Sequence, residues 1–369
     1  MRVGVNLAWL RPGEVGGSEE YITRLLEAVD ATRPGVVDLT LFALAGFAAA
    51  HPGLAAAHRV VTAPVSGRRR SLRVGAEATW LPRAAARSGV DLVHHGGGTV
   101  VSPTPPALLH VHDLQYLVRP DTFSPVKLAF LRRTLPRSVA RARLVACPSE
   151  YVRSTVVDGL GASPADVVVV PHVLGETAPP ADAEQVRRAY GLDRPWFVYP
   201  AITYPHKNHV VLVRALAGVA GALLVLPGGP AGAESAVAAE VDRLGLGERV
   251  RRVGRVPAAD LRALVGGAVA TLFPSTHEGF GAPVLEAMAA GCPVVVAAAT
   301  ALPEVAGGAG LLVGPHDVTA WAAAMNRLLA DDGERRRLAA AGRARAAAFA
   351  PAAAADALLA AYTRVAASA

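Results

Sequence analysis

Cysteine is nearly absent from this chain. Only Cys147 and Cys292 occur, each followed by proline. Two such residues exclude a disulfide framework and a cysteine-based zinc site, and they fit a reducing, cytoplasmic setting. Lysine is equally scarce: of 37 basic residues only Lys127 and Lys207 are lysines, and the rest are arginine. Asparagine occurs three times, while alanine makes up about a fifth of the chain. This skew reads as the coding bias of a GC-rich genome, so a lysine or asparagine that survives it carries extra weight. Long apolar runs are also missing. The best candidates, 209–229 and 293–313, are interrupted by Arg214 and Pro227, and by Pro303 and Glu304, so neither reads as a membrane span. The opening MRVGVNLAWL runs straight into Arg11, Pro12 and a glycine turn, and reads as a buried first strand rather than a signal peptide.

What is present is the composition of a folded protein, with 52% hydrophobic and 18% charged residues. At roughly 150 residues per domain, 369 residues suggest two domains. Short apolar runs at 2–7, 37–43, 91–94, 107–111, 144–147 and 167–170 alternate with helical stretches. The pattern restarts at 196–199 and continues through 222–226, 250–253, 269–273, 293–297 and 310–313. Near-continuous apolar strands bounded by turns predict parallel strands buried on both faces, hence a doubly wound α/β fold. The proline- and charge-rich segment 172–195 marks a boundary. We expect Rossmann-like domains over 1–173 and 174–345, followed by a helical tail over 346–369. Residues 1–175 hold 19 basic and 13 acidic residues, a surplus of +6; the remainder holds 18 and 17, for +1. The positive charge therefore belongs to the first half.

The strongest motif is STHEGFGAPVLEAMAAG, Ser275 to Gly291, directly after the apolar run VATLFP. It begins at the carboxyl edge of a strand, where open α/β sheets bind ligands. Gly279, Phe280 and Gly281 let backbone approach a ligand, and Pro283 suits the first turn of a helix whose free N–H groups and dipole favour phosphate. Glu278 and Glu286 can each accept two hydrogen bonds, as adjacent sugar hydroxyls require. This segment resembles the E-x7-E signature of family 4 retaining glycosyltransferases, which have the GT-B fold of two facing Rossmann-like domains. The resemblance implies that Glu278 sits by the donor sugar and Glu286 holds the nucleotide ribose. Gly279, Phe280 and Gly281 would bind the sugar or diphosphate. It extends through CPVVVAAATALPEVAGGAGLLVGPHD, and upstream through RVRRVGRVPAADLRALVGGA, where Gly254 and Val256 would lie near the base.

A second motif, YPAITYPHKNHVVLVRAL, carries Lys207 beside Asn208 in a loop between strand and helix. Retention of lysine here points to a compact charge. The resemblance implies a diphosphate-binding lysine, though the arginine usual six residues earlier is Ala201; Thr203 and His206 are the candidate substitutes. The Pro-His-Lys-Asn-His wording is similar to a mannosyltransferase-like branch and points to GDP-mannose. The early glycine loop RPGEVGGSEEYITRLL lacks an NAD fingerprint. Gly16 and Gly17 could present N–H groups to donor or acceptor, with Ser18 as the expected helix cap.

His110-Val111-His112-Asp113 could ligate a metal through alternate strand residues, but no further ligand set accompanies it. The resemblance implies a metal-independent enzyme in which His112 is the active-site histidine near the donor sugar, with Asp113 assisting or capping the next loop. His94 and His95 end another strand and could line an acceptor cleft. Arg68, Arg69, Arg70 and Arg73, with the stretch 127–143, read as solvated helix faces or as contacts to an anionic acceptor or membrane; Pro136 is expected to break a long helix there. No nucleic-acid motif accompanies the charge. The tail resembles the family's closing helix, which crosses back to the first domain.

The expectation is a retaining glycosyltransferase that moves a hexose from a nucleotide-diphosphate sugar to an acceptor hydroxyl, with His112, Lys207 and Glu278 central. The acceptor could be a glycan, a lipid-linked molecule or a natural product, reached in the cytoplasm or at the inner face of the plasma membrane. A sugar-nucleotide epimerase or other GT-B enzyme, and a non-catalytic protein holding anionic surfaces, are the alternatives.

Overall fold

The computed structural model describes residues 1–14, 16–102, 105–175 and 179–367. It divides into two compact units, Met1–Gly175 with Phe349–Ala369, and Glu176–Ala348. The break thus falls at Gly175, and the chain returns to the first unit at Phe349.

The first unit is built on a seven-stranded parallel sheet. Its strands are β1 (Arg2–Leu7), β2 (Asp38–Ala43), β3 (Arg59–Thr62), β4 (Leu92–His95), β5 (Ala107–His110), β6 (Leu144–Cys147) and β7 (Val167–Val169), in the order β3-β2-β1-β4-β5-β6-β7. The second unit carries a six-stranded parallel sheet of β8 (Trp196–Val198), β9 (Leu223–Pro227), β10 (Val250–Gly254), β11 (Ala270–Phe273), β12 (Val294–Ala297) and β13 (Leu311–Val313), in the order β10-β9-β8-β11-β12-β13. Strands such as LVHH, LVAC, ATLF and VVVA are buried along their whole length, because helices cover both faces of a parallel sheet. In each sheet the strand order reverses once, between β1 and β4 and between β8 and β11. Those reversals leave crevices at the carboxyl ends of the strands, where ligands of such sheets bind.

Three local features depart from the sequence expectation. Strand β3 pairs at the sheet edge, Thr40 to Arg59 through Ala43 to Thr62; with only half-buried valines and polar ends it lacks an apolar run. Pro136 does not break its helix, which runs unbroken over Pro125–Arg141. Leu135 and Val139 on either side of it are buried in one core cluster, and that packing outweighs the lost helical hydrogen bond. Ser18 is not the cap of the first helix, Gly17–Thr32; Gly16 is, at φ 75°.

The closing helix, Pro351–Ala366, packs on the helix Gly17–Thr32 and against β4, β5 and β6. Its Leu358, Tyr362 and Val365 are completely buried. The segment Asp332–Ala366 is long and apolar enough by composition to cross a membrane, but it is two helices, Asp332–Ala347 and Pro351–Ala366, and the second is part of the first unit's core.

Candidate active site

In the second unit, the two motifs meet at the reversal between β8 and β11. The loop after β8 ends in a short turn, Pro205–Lys207, and Asn208 follows in the left-handed conformation at φ 57°. Asparagine tolerates that conformation better than most residues. Its side-chain amide donates to the carbonyls of Pro274, at 3.2 Å, and Pro315, at 2.7 Å. The rare asparagine thus ties the lysine loop to the loop after β11. The backbone N–H of Thr276 donates to the His206 carbonyl at 2.8 Å. The buried Tyr199 hydroxyl donates to the Lys207 carbonyl at 3.0 Å and lies 2.9 Å from the Ser275 hydroxyl.

These ties place Lys207 Nζ 2.6 Å from Glu278 Oε1, with both side chains about one-fifth exposed. Burial alone would raise the Glu278 carboxyl. The Lys207 ammonium and its hydrogen bond outweigh burial and hold the carboxyl below its ordinary range. The Glu278 backbone N–H donates to the Thr300 hydroxyl at 3.1 Å. Three residues on, Gly281 caps the motif helix Ala282–Ala289 at φ 99°, without a side chain to fill the helix start. A Cβ on Gly281 would lie 2.8 Å from Leu302. Glu286 lies in the second turn of this helix and is half-buried, and Phe280 is buried.

Beside this crevice, at the ends of β8, β9 and β10, lies a cavity of about 290 Å³ whose lining includes Thr203, Glu234, Arg252 and Gly254. Gly254 adopts φ 67°, and the neighbouring Gly228 has φ 149°, where a Cβ would collide with the Ala201 carbonyl oxygen. Thr203 lies in this cavity with its hydroxyl directed at Glu234, 2.8 Å away, so it does not replace the missing arginine as a free donor. The His206 ring stacks on Tyr204 at 5.7 Å between centroids. Val256 is half-buried just beyond β10.

The predicted residues of the first unit fall into two sets. His112 is half-buried, donates from Nε2 to the Gly96 carbonyl at 2.7 Å, and stacks on His110 at 5.6 Å. Asp113 accepts from the Gln115 N–H at 3.0 Å and so caps the following loop. Gly16 and Gly17 open the first helix, and Glu19 of its first turn accepts from the Gly13 N–H at 2.9 Å. Arg68, Arg69 and Arg70 are exposed at the start of the helix Arg70–Ser88, with the Arg70 guanidinium 4.6 Å above the Phe130 ring. Arg73 instead donates to the Trp9 carbonyl.

His94 and His95 do not line an open cleft, because both are buried in the sheet. His94 contacts Tyr362 and His110; His95 faces Asn6 at 3.4 Å. His110 Nε2 lies 2.5 Å from the Tyr21 hydroxyl, so both of its ring nitrogens are engaged within the fold and it is not poised as a metal ligand. Among the described residues no group of three potential ligands could hold a metal ion.

Sequence reasoning missed Asn6 and Glu77. The Asn6 amide donates to buried Glu77 at 3.1 Å. Burial raises the Glu77 carboxyl to about 7, partly opposed by that hydrogen bond and by Arg73 and Arg70. Asn6 carried a usable signal: it is one of the chain's three asparagines.

Fold and site together define a pair of Rossmann-like units, one with a lysine and a glycine-capped helix start, groups suited to phosphate, beside carboxylates suited to hydroxyls. Residues 182–345 match the Glycosyl transferases group 1 family, and residues 15–174 match Glycosyltransferase Family 4. The chain is 30% identical to the Escherichia coli O-antigen chain mannosyltransferase B over 76% of its own length and 77% of that protein. It is 35% identical to D-inositol 3-phosphate glycosyltransferase of Mycobacterium marinum over 55% of its length and 46% of that protein; it thus spans about half of this relative. Among solved structures it is similar to a sucrose-phosphate synthase from Thermosynechococcus elongatus (TM-score 0.81, 22% identity, 100% of both chains). It is also similar to Anabaena HepE in complex with UDP and glucose (TM-score 0.76, 20% identity, 98% and 99% covered). The chain belongs to the family 4 glycosyltransferases and has the GT-B fold.

Proposed function

We propose that this glycosyltransferase moves a hexose, with retention of anomeric configuration and without a metal ion, from a nucleoside-diphosphate sugar to an acceptor hydroxyl. The observation that carries this reading is the 2.6 Å pair of Lys207 and Glu278 beside the open start of the motif helix. Lys207 and the helix N–H groups would meet the diphosphate, supplying the positive charge that a cation supplies elsewhere. The ionised Glu278 would accept from hydroxyls of the donor sugar, and Glu286 from the ribose. As the bond from the anomeric carbon to the phosphate oxygen breaks, charge builds on the diphosphate, where Lys207 already stands. We assign no protein nucleophile: the leaving phosphate oxygen takes the acceptor proton on the face where the new bond forms.

The mannosyltransferase relative and the wording of Pro205 to His209 make GDP-mannose the first donor to test. His112 and the basic side chains of the first unit are assigned to handling donor sugar and acceptor. Two free, buried cysteines fit a cytoplasmic enzyme. Exposed Leu72, Leu117, Val118 and Val126, on the unit that carries Arg68 to Arg70, fit a membrane-borne glycan or lipid-linked acceptor. A thermal-shift screen of GDP-, UDP-, dTDP- and ADP-sugars tests the donor. A sugar present at about 100 times its dissociation constant stabilises the protein by about 2.7 kcal/mol; no shift with any of them would sink the reading.

A further inference from the structure

The cavity beside the diphosphate crevice contains a charged pair that the proposed transfer chemistry does not use. Glu234 is the first residue of the helix Glu234–Arg243 and is held from two sides. The Thr203 hydroxyl donates to its Oε2 at 2.8 Å, and Arg252 Nη2 donates to its Oε1. The Ala231 N–H donates to the Thr203 oxygen at 2.7 Å, which leaves the threonine proton for Glu234. The carboxylate is therefore oriented before any ligand arrives. Leu226 and Val237 supply apolar walls of the kind a flat ring packs against.

Each carboxylate oxygen retains a second lone pair, and the Arg252 guanidinium has N–H groups beyond the one bonded to Glu234. The pair thus offers two acceptors side by side with a donor next to them. Among the common bases only guanine presents the complement on one edge, an oxygen acceptor followed by two N–H donors. Uracil would set carbonyl oxygens against the carboxylate. Adenine and cytosine each place one donor beside ring acceptors and would leave a charged oxygen facing a lone pair.

We infer that Glu234, oriented by Thr203 and Arg252, is the specificity residue of this enzyme, and that the cavity selects a guanosine diphosphate donor. The inference rests on the reading of the second unit as the nucleotide-sugar site. Glu234 accepts from the ring N–H and the 2-amino group of guanine, and Arg252 donates to the 6-oxo group. Sequence motifs alone could not assign this role, because Thr203 comes from the loop after β8, Glu234 from the helix start after β9 and Arg252 from β10, and they meet only around the cavity.

Calorimetric titration of the full chain with GDP, inosine diphosphate, UDP and ADP tests it. Inosine diphosphate keeps the 6-oxo group and the ring N–H but lacks the 2-amino group. One charged hydrogen bond corresponds to roughly 10-fold to 100-fold in affinity, so GDP should bind tighter than inosine diphosphate by about that factor. It should exceed UDP and ADP by more. Glu234→Gln replaces one acceptor oxygen with a donor at nearly constant shape and should bring GDP down to the inosine diphosphate level. Equal binding of GDP and inosine diphosphate by the unaltered protein, or tighter binding of UDP or ADP, overturns the inference while leaving the donor site intact. Absence of binding by all four, or binding that Lys207→Ala leaves unchanged, overturns the donor-site reading and this inference with it.

Discussion

The Tyr362 hydroxyl lies 2.8 Å from Nδ1 of His94, although 268 residues separate them in the chain. Their bond is the first link of a directed series. At its far end the Tyr21 hydroxyl donates to the Val170 carbonyl at 2.6 Å. A carbonyl can only accept, so the Tyr21 oxygen takes its remaining bond from His110 Nε2. Burial keeps His94 and His110 neutral by pushing both well below their ordinary range. His110 Nδ1 is then an acceptor for His94 Nε2 at 3.0 Å, and His94 Nδ1 an acceptor for Tyr362. One carbonyl thereby sets every proton in the series. Replacing Tyr362 with phenylalanine keeps the ring and strands the His94 acceptor in the core. The expected loss is about 1–3 kcal/mol, read in urea as a lowered midpoint with unchanged slope.

The same burial makes the first unit acid-sensitive. His94 and His172 are pushed down to about 3 and His95 to about 4, with desolvation the leading cause. Unfolded histidine titrates near ~6.5, so between that pH and the folded values the unfolded chain binds more protons. Stability present above about pH 6.5 is lost as pH falls toward about 3. Glu77, raised to about 7, works in the opposite sense, losing stability as pH rises from the ordinary carboxyl range through 7. The histidines outnumber it, so the melting temperature should fall steadily below pH 6. A flat profile from pH 7 to 4 would contradict the neutral assignment.

Lys207 holds the Glu278 carboxylate in its charged form, and in the proposed reaction it would meet the diphosphate next. Lys207→Ala should reduce transfer by ~10²-fold or more, as expected from removing one preorganised electrostatic group. With Lys207 gone, burial acts on Glu278 with less opposition, so its protonation should move to higher pH. The acid limb of the pH–rate profile should move with it. Residual transfer that keeps the original acid limb would separate the two residues functionally.

The proposed metal independence has its own measurement. Transfer by the unaltered protein should persist in excess EDTA, with the rate restored by added magnesium differing little from the chelated rate. A dependence of tenfold or more on magnesium would show that Lys207 and the helix start do not supply the charge on their own.

Two glycines with opposite surroundings test the backbone argument. Gly228→Ala would drive a Cβ into the Ala201 carbonyl oxygen at φ 149°, and should lower stability and nucleotide binding together. Gly53 lies in the helix Pro52–Ala57, with nothing within 4 Å of the position a methyl group would take. Gly53→Ala should be neutral or stabilising by up to ~1 kcal/mol. Thermal melts of the two variants side by side give the comparison.

Much of the fold was legible in the chain. Of the thirteen strands among the described residues, twelve coincide with strand candidates in the sequence, most of them as apolar runs because a central parallel strand is buried on both faces. Edge strand β10, VRRVG, carries two arginines, and β3, half-buried at the other sheet's edge, gives no such run. Lys207 and Glu278 were legible from residue chemistry, loop position and scarcity. Asn208 stands out by the same scarcity, but its task of tying two loops together emerges only in the folded chain. Pro136 misled because its penalty is local and the packing that outweighs it is not. His94 and His95 misled because a histidine at a strand end reads alike whether or not residues distant in the chain cover it, here Tyr362 of the closing helix and Asn6 of β1.

Local spacing by itself determined the alternation of strands and helices, the glycine-lined helix start and the types of charge placed near it, since each depends on neighbours a few residues away. Tertiary structure alone decided which polar groups face one another: Tyr362 with His94, Asn6 with Glu77, Glu234 with Thr203 and Arg252. The energy of a polar group in a protein depends on the partner that replaces its water, and folding brings that partner from anywhere in the chain.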